Sequence, residues 1–281
     1  MNPMKNPTHD FRRCAELIAG ADGLLVTAGA GMGIDSGLPD FRGPQGFWRA
    51  YPALGKARIA FERIASPAAF ESDPGLAWGF YGHRLNLYRT TVPHDGFQLL
   101  RRIGGRLAEG CFVFTSNVDG QFAKAGFDGE RIAECHGSIH HLQCLEGCRG
   151  EIWSADDFHP QIDDENCQLL SDFPRCPHCG ALARPNILMF GDWGWLEARS
   201  EGQYRRLQNW LRKVERLLVI EIGAGTHIPT VRLMSDSVGG RLIRINPDEP
   251  GLGRTEGVSL PYGGLAALRA IDAGLQSELN Q

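Results

Sequence analysis

The 281-residue chain has neither an excess of basic residues nor a long apolar run. It carries 29 Lys and Arg against 33 Asp and Glu, which gives a formal net charge of −4. Because phosphate binding normally requires a clear basic excess, this balance argues against a nucleic-acid-binding protein. No run approaches the roughly 18 apolar residues of a membrane span, and residues 1–7 lack the apolar core of a signal peptide. We therefore expect no nucleic-acid partner, no membrane and a cytoplasmic location.

An acidic residue typical of dehydrogenases is also missing after a glycine-rich segment. Residues 23–27 (GLLVT) form an apolar run typical of a buried strand, and residues 28–43 (AGAGMGIDSGLPDFRG) follow it. Glycines directly after a strand let the backbone approach a pyrophosphate, and N–H groups at the start of the next helix hold the anion. A dehydrogenase has a carboxylate about 20 positions further on, whereas residues 47–53 contain none. The PDFRG sequence at 39–43 suits chemistry on the ribose instead.

Short apolar runs that end in polar turns predict an α/β fold. The runs at 111–115, 216–222 and 241–245, together with 23–27, are typical of parallel strands. Helical apolar spacing over residues 10–20 opens the first βα unit. We predict a Rossmann-like parallel sheet domain with a helical insertion and a small zinc-binding module. The segments are 10–55, 104–137 and 184–272 for the Rossmann-like domain, 56–103 for the helical insertion, and 138–183 for the zinc-binding module.

Four of the eight cysteines have a spacing typical of zinc ribbons, namely Cys144-x3-Cys148 and Cys176-x2-Cys179. Nearby glycines let each loop wrap around a tetrahedral ion. Unpaired buried thiols are the alternative interpretation. Because four thiolates close the coordination sphere, the zinc would be structural and would not activate water. The cysteines outside this pattern, most of them expected in the core, are Cys14, Cys111, Cys135 and Cys167.

Further motifs follow the glycine-rich segment in a fixed order. That segment reads G-A-G-x-x-x-x-S-G-x-P-D-F-R, and after it come TSNVDG (115–120), CHGS (135–138), the four cysteines, RPN (184–186) and FG (190–191). The series resembles the sirtuin family of NAD-dependent protein deacylases over about residues 24–247. The resemblance implies NAD as cofactor, structural zinc, and acylated lysine peptides or proteins as partners. It leaves the oligomeric state open.

The resemblance also implies which residues contact NAD. Ser116 stands where the family usually has Gln, so one ribose contact would be shorter or water-mediated. Thr226 would supply a hydroxyl to phosphate in a turn that usually reads Gly-Thr-Ser. Asp40 and Arg42 belong to the lid near the nicotinamide, although a surface ion pair is the alternative. The implied NAD residues are Gly29, Ala30, Gly31, Asp40, Phe41, Arg42, Ser116, Asn117, Asp119, Gly223, Gly225, Thr226 and Asn246.

Two residues are implied to be catalytic. In sirtuins the acyl-lysine carbonyl oxygen attacks the nicotinamide ribose and nicotinamide leaves; here Asn117 would reach that ribose and Asp119 the nicotinamide amide. His136 matches the family's His-Gly position and would be the general base for a ribose hydroxyl, a task that suits imidazole with its pKa of about 6.5. His140 and His141 do not match this position, and we expect structural roles for them.

The substrate side is implied by two further matches. Tyr81 and Arg84 lie three apart in a predicted helix and share a face. A Tyr-x-x-Arg pair resembles that of sirtuins that accept succinyl- or malonyl-lysine, where a guanidinium binds a carboxylate with two hydrogen bonds. The alternative is an aromatic residue packed beside a solvated arginine. The substrate peptide would pair as an extended strand along Phe190 and Gly191.

Three functions are compatible with these motifs. The first is an NAD-dependent protein-lysine deacylase, a deacetylase and/or a desuccinylase or demalonylase, that transfers the acyl group to ADP-ribose and releases nicotinamide. A mono-ADP-ribosyltransferase or NAD glycohydrolase is the alternative, because the ribose-activating residues serve any acceptor and both Ser116 and Gly225 depart from the deacylase pattern. A zinc-ribbon module or NAD sensor without catalysis predicts loss of Asn117 or His136, and both are present.

Overall fold

Strands and helices alternate along the chain in the computed structural model, which describes residues 7–39 and 43–279. The strands are β1 (Gly23–Ala28), β2 (Gly110–Thr115), β3 (Ile132–Glu134), β4 (Gly137–Cys144), β5 (Ile152–Ser154), β6 (Ile162–Asp163), β7 (Gln168–Leu169), β8 (Ala183–Ile187), β9 (Leu217–Ile222), β10 (Arg241–Ile245) and β11 (Gly257–Leu260). The α-helices are α1 (Pro7–Ala19), α2 (Gly43–Ala50), α3 (Pro52–Lys56), α4 (Phe61–Ile64), α5 (Pro67–Ser72), α6 (Pro74–Thr90), α7 (Asp95–Gly104), α8 (Gln121–Lys124), α9 (Ala198–Leu211), α10 (Thr230–Ser237) and α11 (Gly264–Leu279). Residues Ala30–Ser36 and Gly129–Arg131 form 3₁₀ helices.

Six strands form a parallel sheet in the order β11–β10–β9–β1–β2–β3. β1 lies between β2 and β9, and Ala28 at its end is level with Thr115 and Ile222. The chain leaves β1 toward β2 on one side, whereas β9 and β10 lie on the other, so the strand order reverses at β1. A ligand crevice is expected outside the carboxyl ends of the strands at such a point. The predicted α/β fold with a parallel sheet is confirmed, including the four predicted strands; β3 and β11 were not predicted.

Helices cover both faces of this sheet. Leu24 and Val26 belong to one apolar cluster, which α1, α7 and α11 complete. Leu25, between them, belongs to a second cluster on the other face with side chains of α9 and α10. Because both faces are buried, the strands read as continuous apolar runs rather than alternating ones. None of the helices within residues 7–39 and 43–279 combines the length and the apolar character needed to cross a membrane.

A second structural unit lies beside the sheet. β4 pairs antiparallel with β5 and β8, and β6 with β7 forms a hairpin against α6. Its apolar cluster includes Trp78 and Tyr81 of α6 together with Val118 and Met189. Residues 184–187 are predicted within the larger domain, but they belong to β8 and so to the antiparallel sheet.

The helical stretch predicted at 56–103 is divided between the two units. α4, α5 and α6 pack in the smaller unit. α7, in contrast, buries Phe97, Leu100 and Ile103 against the parallel sheet. The physical reason is that α7 has an apolar side of its own, so it covers the sheet next to α11.

Candidate functional site

Predicted NAD-contacting residues meet at one edge of the parallel sheet. Each follows the carboxyl end of a strand, and parallel strands bring those ends together. Asp40, Phe41 and Arg42 lie outside the described residues. The remaining positions are Gly29, Ala30 and Gly31 after β1, Ser116, Asn117 and Asp119 after β2, Gly223, Gly225 and Thr226 after β9, and Asn246 after β10.

The glycine-rich segment after β1 packs directly against the loop after β9. Gly29 N donates to Ile222 O at 3.0 Å and Gly31 N donates to Gly223 O at 3.1 Å. A Cβ atom on Gly31 would lie 2.6 Å from the Cα atom of Gly223. The glycines therefore allow two loops to touch, and the segment continues as a 3₁₀ helix. This differs from the expectation that N–H groups at the start of a helix hold the anion, because the N–H groups of Gly29 and Gly31 already donate to the backbone.

Asn117 is held beside this loop. Thr115 Oγ1 donates to Ala28 O at 2.9 Å and accepts from Asn117 N at 3.0 Å. The side-chain Nδ2 of Asn117 donates to Gly29 O at 3.0 Å. The amide therefore lies next to the glycine loop, within the region where NAD is expected.

His136 lies between β3 and β4 and is partly buried. Its Nε2 is 3.4 Å from Thr230 Oγ1, and its carbonyl oxygen accepts from Leu188 N at 3.0 Å. Burial lowers the pKa of the imidazole from 6.5, while a hydrogen bond with the Ser116 backbone raises it by less. The ring is therefore neutral at pH 7 and able to accept a proton.

Asp119 is a buried carboxyl with a perturbed pKa. Its Oδ1 accepts from Gln121 N at 2.9 Å, and the residue is only 8% exposed. Burial raises the pKa of Asp119 from 3.8 to about 6, although the Gln121 N–H opposes this rise. The charge of Asp119 therefore changes close to physiological pH.

The loops after β9 and β10 are tied together by polar side chains. Thr226 Oγ1 donates to Glu249 Oε1 at 2.8 Å, and Thr226 N donates to Oε2 at 3.0 Å. Asn246 Nδ2 donates to Ala224 O at 2.9 Å, and its Oδ1 accepts from Asp248 N and Glu249 N at 3.0 Å. The hydroxyl of Thr226, expected to contact phosphate, thus already donates to a carboxylate that the sequence analysis did not identify.

Tyr81 and Arg84 lie on the buried side of α6. The Arg84 guanidinium is 5.2 Å from the ring centroid of Phe80, 5.6 Å from that of Tyr81 and 5.4 Å from that of Tyr88. Its Nε donates to Tyr88 OH at 2.9 Å. Burial alone lowers the pKa of Arg84, but the surrounding tyrosine hydroxyls raise it by more. Arg84 is therefore a buried, charged guanidinium in an aromatic cage.

A fixed turn carries Phe190 and Gly191. Phe190 N donates to Ala65 O at 2.9 Å, while the Phe190 side chain is 36% exposed. Arg184 Nη1 and Nη2 each donate to one carboxylate oxygen of Asp192 at 2.8 Å, and both side chains are buried. This bidentate ion pair fixes the segment from Leu188 to Asp192. Leu188, at its start, donates its N–H to His136 O.

Residues 29–227 match the protein-family model of the Sir2 family. The chain belongs to this family. It is 31% identical over 242 residues to NAD-dependent protein deacylase 1 of Pseudomonas aeruginosa, covering 84% of this chain and 88% of that protein. It is 30% identical over 239 residues to the NAD-dependent protein deacylase of Pyrococcus furiosus, covering 83% and 84% of the two chains. A crystal structure of a Sir2 homologue with NAD is similar at a TM-score of 0.69 and 25% identity, with 94% of this chain and 93% of that chain covered.

The four cysteines predicted as metal ligands come together in this Sir2 chain. Their sulfur atoms all lie within 4.8 Å of one another, with Cys144 Sγ 3.6 Å from Cys179 Sγ and Cys148 Sγ 3.5 Å from Cys176 Sγ. Tetrahedral zinc with Zn–S bonds of about 2.3 Å requires sulfur atoms about 3.8 Å apart. The cluster fits structural zinc. Of the remaining cysteines, Cys14 and Cys167 are buried and Cys111 and Cys135 half-buried.

His94 also shapes the Sir2 site and was missed in the sequence. Its Nδ1 accepts from Gly96 N at 3.0 Å, so the proton is on Nε2, which donates to Met32 O at 2.9 Å. His94 N donates to Ser36 Oγ at 3.0 Å. The imidazole therefore holds the 3₁₀ helix Ala30–Ser36. Its place directly before a helical stretch was the available signal, because capping residues occupy that position.

Proposed function

We propose that this Sir2-family chain is an NAD-dependent protein-lysine deacylase, which transfers the acyl group to ADP-ribose and releases nicotinamide. The observation that carries the proposal is that Asn117 and His136 lie at the edge of the sheet that also carries the two glycine loops. Curated relatives named NAD-dependent protein deacylases support it. A cytoplasmic location stays a prediction.

In the proposed reaction, bound NAD supplies a ribose whose bond to nicotinamide is broken. His136 accepts the proton of a ribose hydroxyl, which requires the neutral imidazole that its buried setting favours. A hydrogen bond with the Ser116 backbone holds the ring, and Thr230 Oγ1 lies 3.4 Å from Nε2. Asn117, held by its bond to Gly29 O, would contact the ribose of bound NAD. Asp119 would contact the nicotinamide amide.

We extend the proposal to acyl groups that carry a carboxylate. Gln121 Nε2, two residues after Asp119, donates to Tyr88 O at 3.1 Å, and the hydroxyl of Tyr88 accepts from Arg84 Nε. Tyr81 belongs to one apolar cluster with Val118, which lies between Asn117 and Asp119, and with Met189, which precedes Phe190. This packing supports a place for the pair near both the loop of Asn117 and Asp119 and the turn that carries Phe190. A charged guanidinium in that position favours a succinyl or malonyl group.

The peptide that carries the acyl-lysine is proposed to extend along Phe190 and Gly191. Phe190 is partly exposed, and its ring packs edge-on against Phe61 at 5.7 Å. Since the Arg184–Asp192 pair fixes the turn, an extended peptide can bind there without first ordering it.

The deciding experiment is mass spectrometry of acetyl-, succinyl- and unmodified lysine peptides incubated with and without NAD. We expect both acyl peptides to lose their acyl mass only when NAD is present. A peptide that gains the mass of ADP-ribose would replace the proposal with an ADP-ribosyltransferase. Release of nicotinamide with all three peptides unchanged would replace it with an NAD glycohydrolase.

A further inference from the structure

β4 links the proposed general base with the loop that carries Asn117 and Asp119. The strand begins at Gly137, directly after His136, and passes beside that loop. Ile139 N donates to Val118 O at 3.0 Å. One residue later, the imidazole Nε2 of His140 lies 3.0 Å from Asp119 O. A backbone bond and a side-chain bond from neighbouring residues therefore fasten the loop to the strand.

The His140 side chain fits this loop closely. Asp119 O is a carbonyl acceptor, so Nε2 of His140 carries the proton and donates. Gly120 has a φ of +68°, and a Cβ atom there would lie 2.7 Å from Cδ2 of the imidazole. The ring thus covers a left-handed turn that favours glycine. Because the peptide group between Asp119 and Gly120 accepts the His140 bond, its orientation depends on that bond.

Burial keeps His140 in the neutral form. Burial is the largest cause, and it lowers the pKa of the imidazole. The hydrogen bond to the Asp119 backbone and the charges of Glu134 and Asp156 raise this pKa, whereas the charge of Arg89 lowers it. Nε2 carries its proton in both the neutral and the charged ring, so the donated bond does not depend on pH.

We infer that His140 is a positioning residue, which fixes the nicotinamide-contacting loop relative to His136. The inference rests on the proposed function for the roles of Asn117, Asp119 and His136. His140 acts through the Asp119 backbone and does not touch the ribose itself. Losing the bond would loosen the Asp119–Gly120 part of the loop, because the bond from Ile139 N still holds Val118 O, and it would leave the peptide-binding turn at Phe190 intact.

Two variants and one control test this role. His140→Leu removes the donor, His140→Gln keeps an N–H donor on a side chain of similar reach, and His141→Leu removes the next imidazole of β4. We expect His140→Leu to raise the inhibition constant of nicotinamide about tenfold, the usual consequence of losing one buried hydrogen bond. KM for the acyl peptide should not change. His140→Gln should recover most of the affinity, and His141→Leu should match the wild type.

Hydrogen exchange of the ligand-free protein supplies a readout that does not depend on activity. Amides of residues 117–121 should exchange about tenfold faster in His140→Leu than in the wild type or His141→Leu. Unchanged nicotinamide inhibition and exchange in His140→Leu, or equal changes in His141→Leu, would overturn the inference. If wild-type protein removes no acyl group, the proposed function fails, while the exchange comparison still decides whether His140 holds the loop.

Discussion

The two sides of the cleft are built differently. On the cofactor side, Asn117 and the glycine loops follow strand ends, and short backbone hydrogen bonds fix them. On the proposed acyl side, which Tyr81 and Arg84 would form, Arg84 lies in the helix α6, inside a cage of aromatic rings. That helix packs on the hairpin of the unit that also carries the four cysteines.

The difference indicates how each side can vary. The cofactor side takes its geometry from the parallel sheet, so changes there should affect the reaction with every acyl group. The acyl side takes its geometry from packing between α6 and the antiparallel unit, so changes there should alter which acyl group is preferred.

Removal of zinc is expected to have the largest effect, and it should fall on the acyl side. Metal-binding energy of roughly 10 kcal/mol or more is folding energy in such sites, so a strong chelator or Cys176→Ser should unfold the antiparallel unit. Elemental analysis should give about one zinc per chain. Hydrogen exchange should show more protection left in the parallel sheet than in β4, β5 and β8.

Cys111→Ser is the matched control, because Cys111 lies in β2 outside the sulfur cluster. It should retain zinc and the exchange protection of β4. If the purified protein contains no metal, or melts at the same temperature with and without chelator, the four cysteines do not hold structural zinc.

Loss of the His136 imidazole should have the second-largest effect, and it should lower deacylation equally for every acyl group. His136→Ala should lower deacylation of acetyl- and succinyl-lysine peptides by about 10²–10⁴-fold, the usual range for a general base. The exposed His159 supplies the control, and His159→Ala should behave as the wild type. Comparable deacylation by His136→Ala would exclude its role as the base.

The pH dependence of kcat/KM tests the proposed role of His136 a second time. The reaction needs neutral His136, and burial lowers the pKa of that imidazole from 6.5. Activity attributable to His136 should therefore be lost as the pH falls, with the midpoint of that loss below pH 6.5. A histidine-dependent acid limb centred above pH 6.5, measured on kcat/KM, would contradict the buried setting of the ring.

Asp119→Asn should separate stability from function on the cofactor side. Burial raises the pKa of Asp119 from 3.8 to about 6, so the folded protein binds this proton more tightly than the unfolded chain does. That contribution to stability is present at low pH and is lost as the pH rises through 6. A neutral Asn should therefore raise the free energy of unfolding at pH 7.5 by about 3 kcal/mol, since each unit of pKa corresponds to about 1.4 kcal/mol.

Urea denaturation at pH 7.5 and at pH 4 measures this effect. The gain should nearly disappear at pH 4, where Asp119 is largely protonated in the folded protein, while deacylation by the variant falls. A stability difference of the same size at both pH values would show that the charge of Asp119 is not its cause.

Arg84→Met should have the smallest effect and the most selective one. A charge-assisted hydrogen bond of about 1.5–3 kcal/mol is lost for a succinyl group, whereas an acetyl group loses nothing comparable. We expect succinyl-lysine to react at least as well as acetyl-lysine with the wild type, and kcat/KM measurements to give the reverse order with Arg84→Met.

Tyr88→Phe is the control for packing around Arg84. It removes the hydroxyl that accepts from Arg84 Nε but keeps the charge and the ring. The order of acyl preference should therefore survive in this variant. If Arg84→Met lowers both activities by one factor, the arginine only supports α6.

The cofactor side was largely predictable because strands and motifs lie close together in the sequence. The run 23–27 and the segment after it predicted that Gly29 and Gly31 follow a buried strand, and the structure has them there. The close contact of these glycines with the loop at Gly223 was not predicted, because Gly223 lies almost 200 residues away and only the folded sheet brings the two loops together.

Contacts between distant loops escaped prediction for the same reason. Glu249 accepts a hydrogen bond from Thr226, and His94 donates one to Met32 O. No sequence pattern indicates that these segments meet. The predicted insertion 56–103 also includes α7, since its helical spacing is ordinary and only its packing places it on the parallel sheet. Sequence patterns report which side of an element is apolar, but not which neighbour covers it.

The central claim is that an acyl-lysine drives the cleavage of NAD. The most direct measurement is the ratio of nicotinamide released to peptide deacylated, followed with succinyl- and acetyl-lysine peptides and with unmodified peptide. We expect one nicotinamide for each acyl group removed, with the acyl mass recovered on ADP-ribose, and little nicotinamide from unmodified peptide. Nicotinamide released at the same rate with unmodified peptide, or deacylation without NAD, would contradict it.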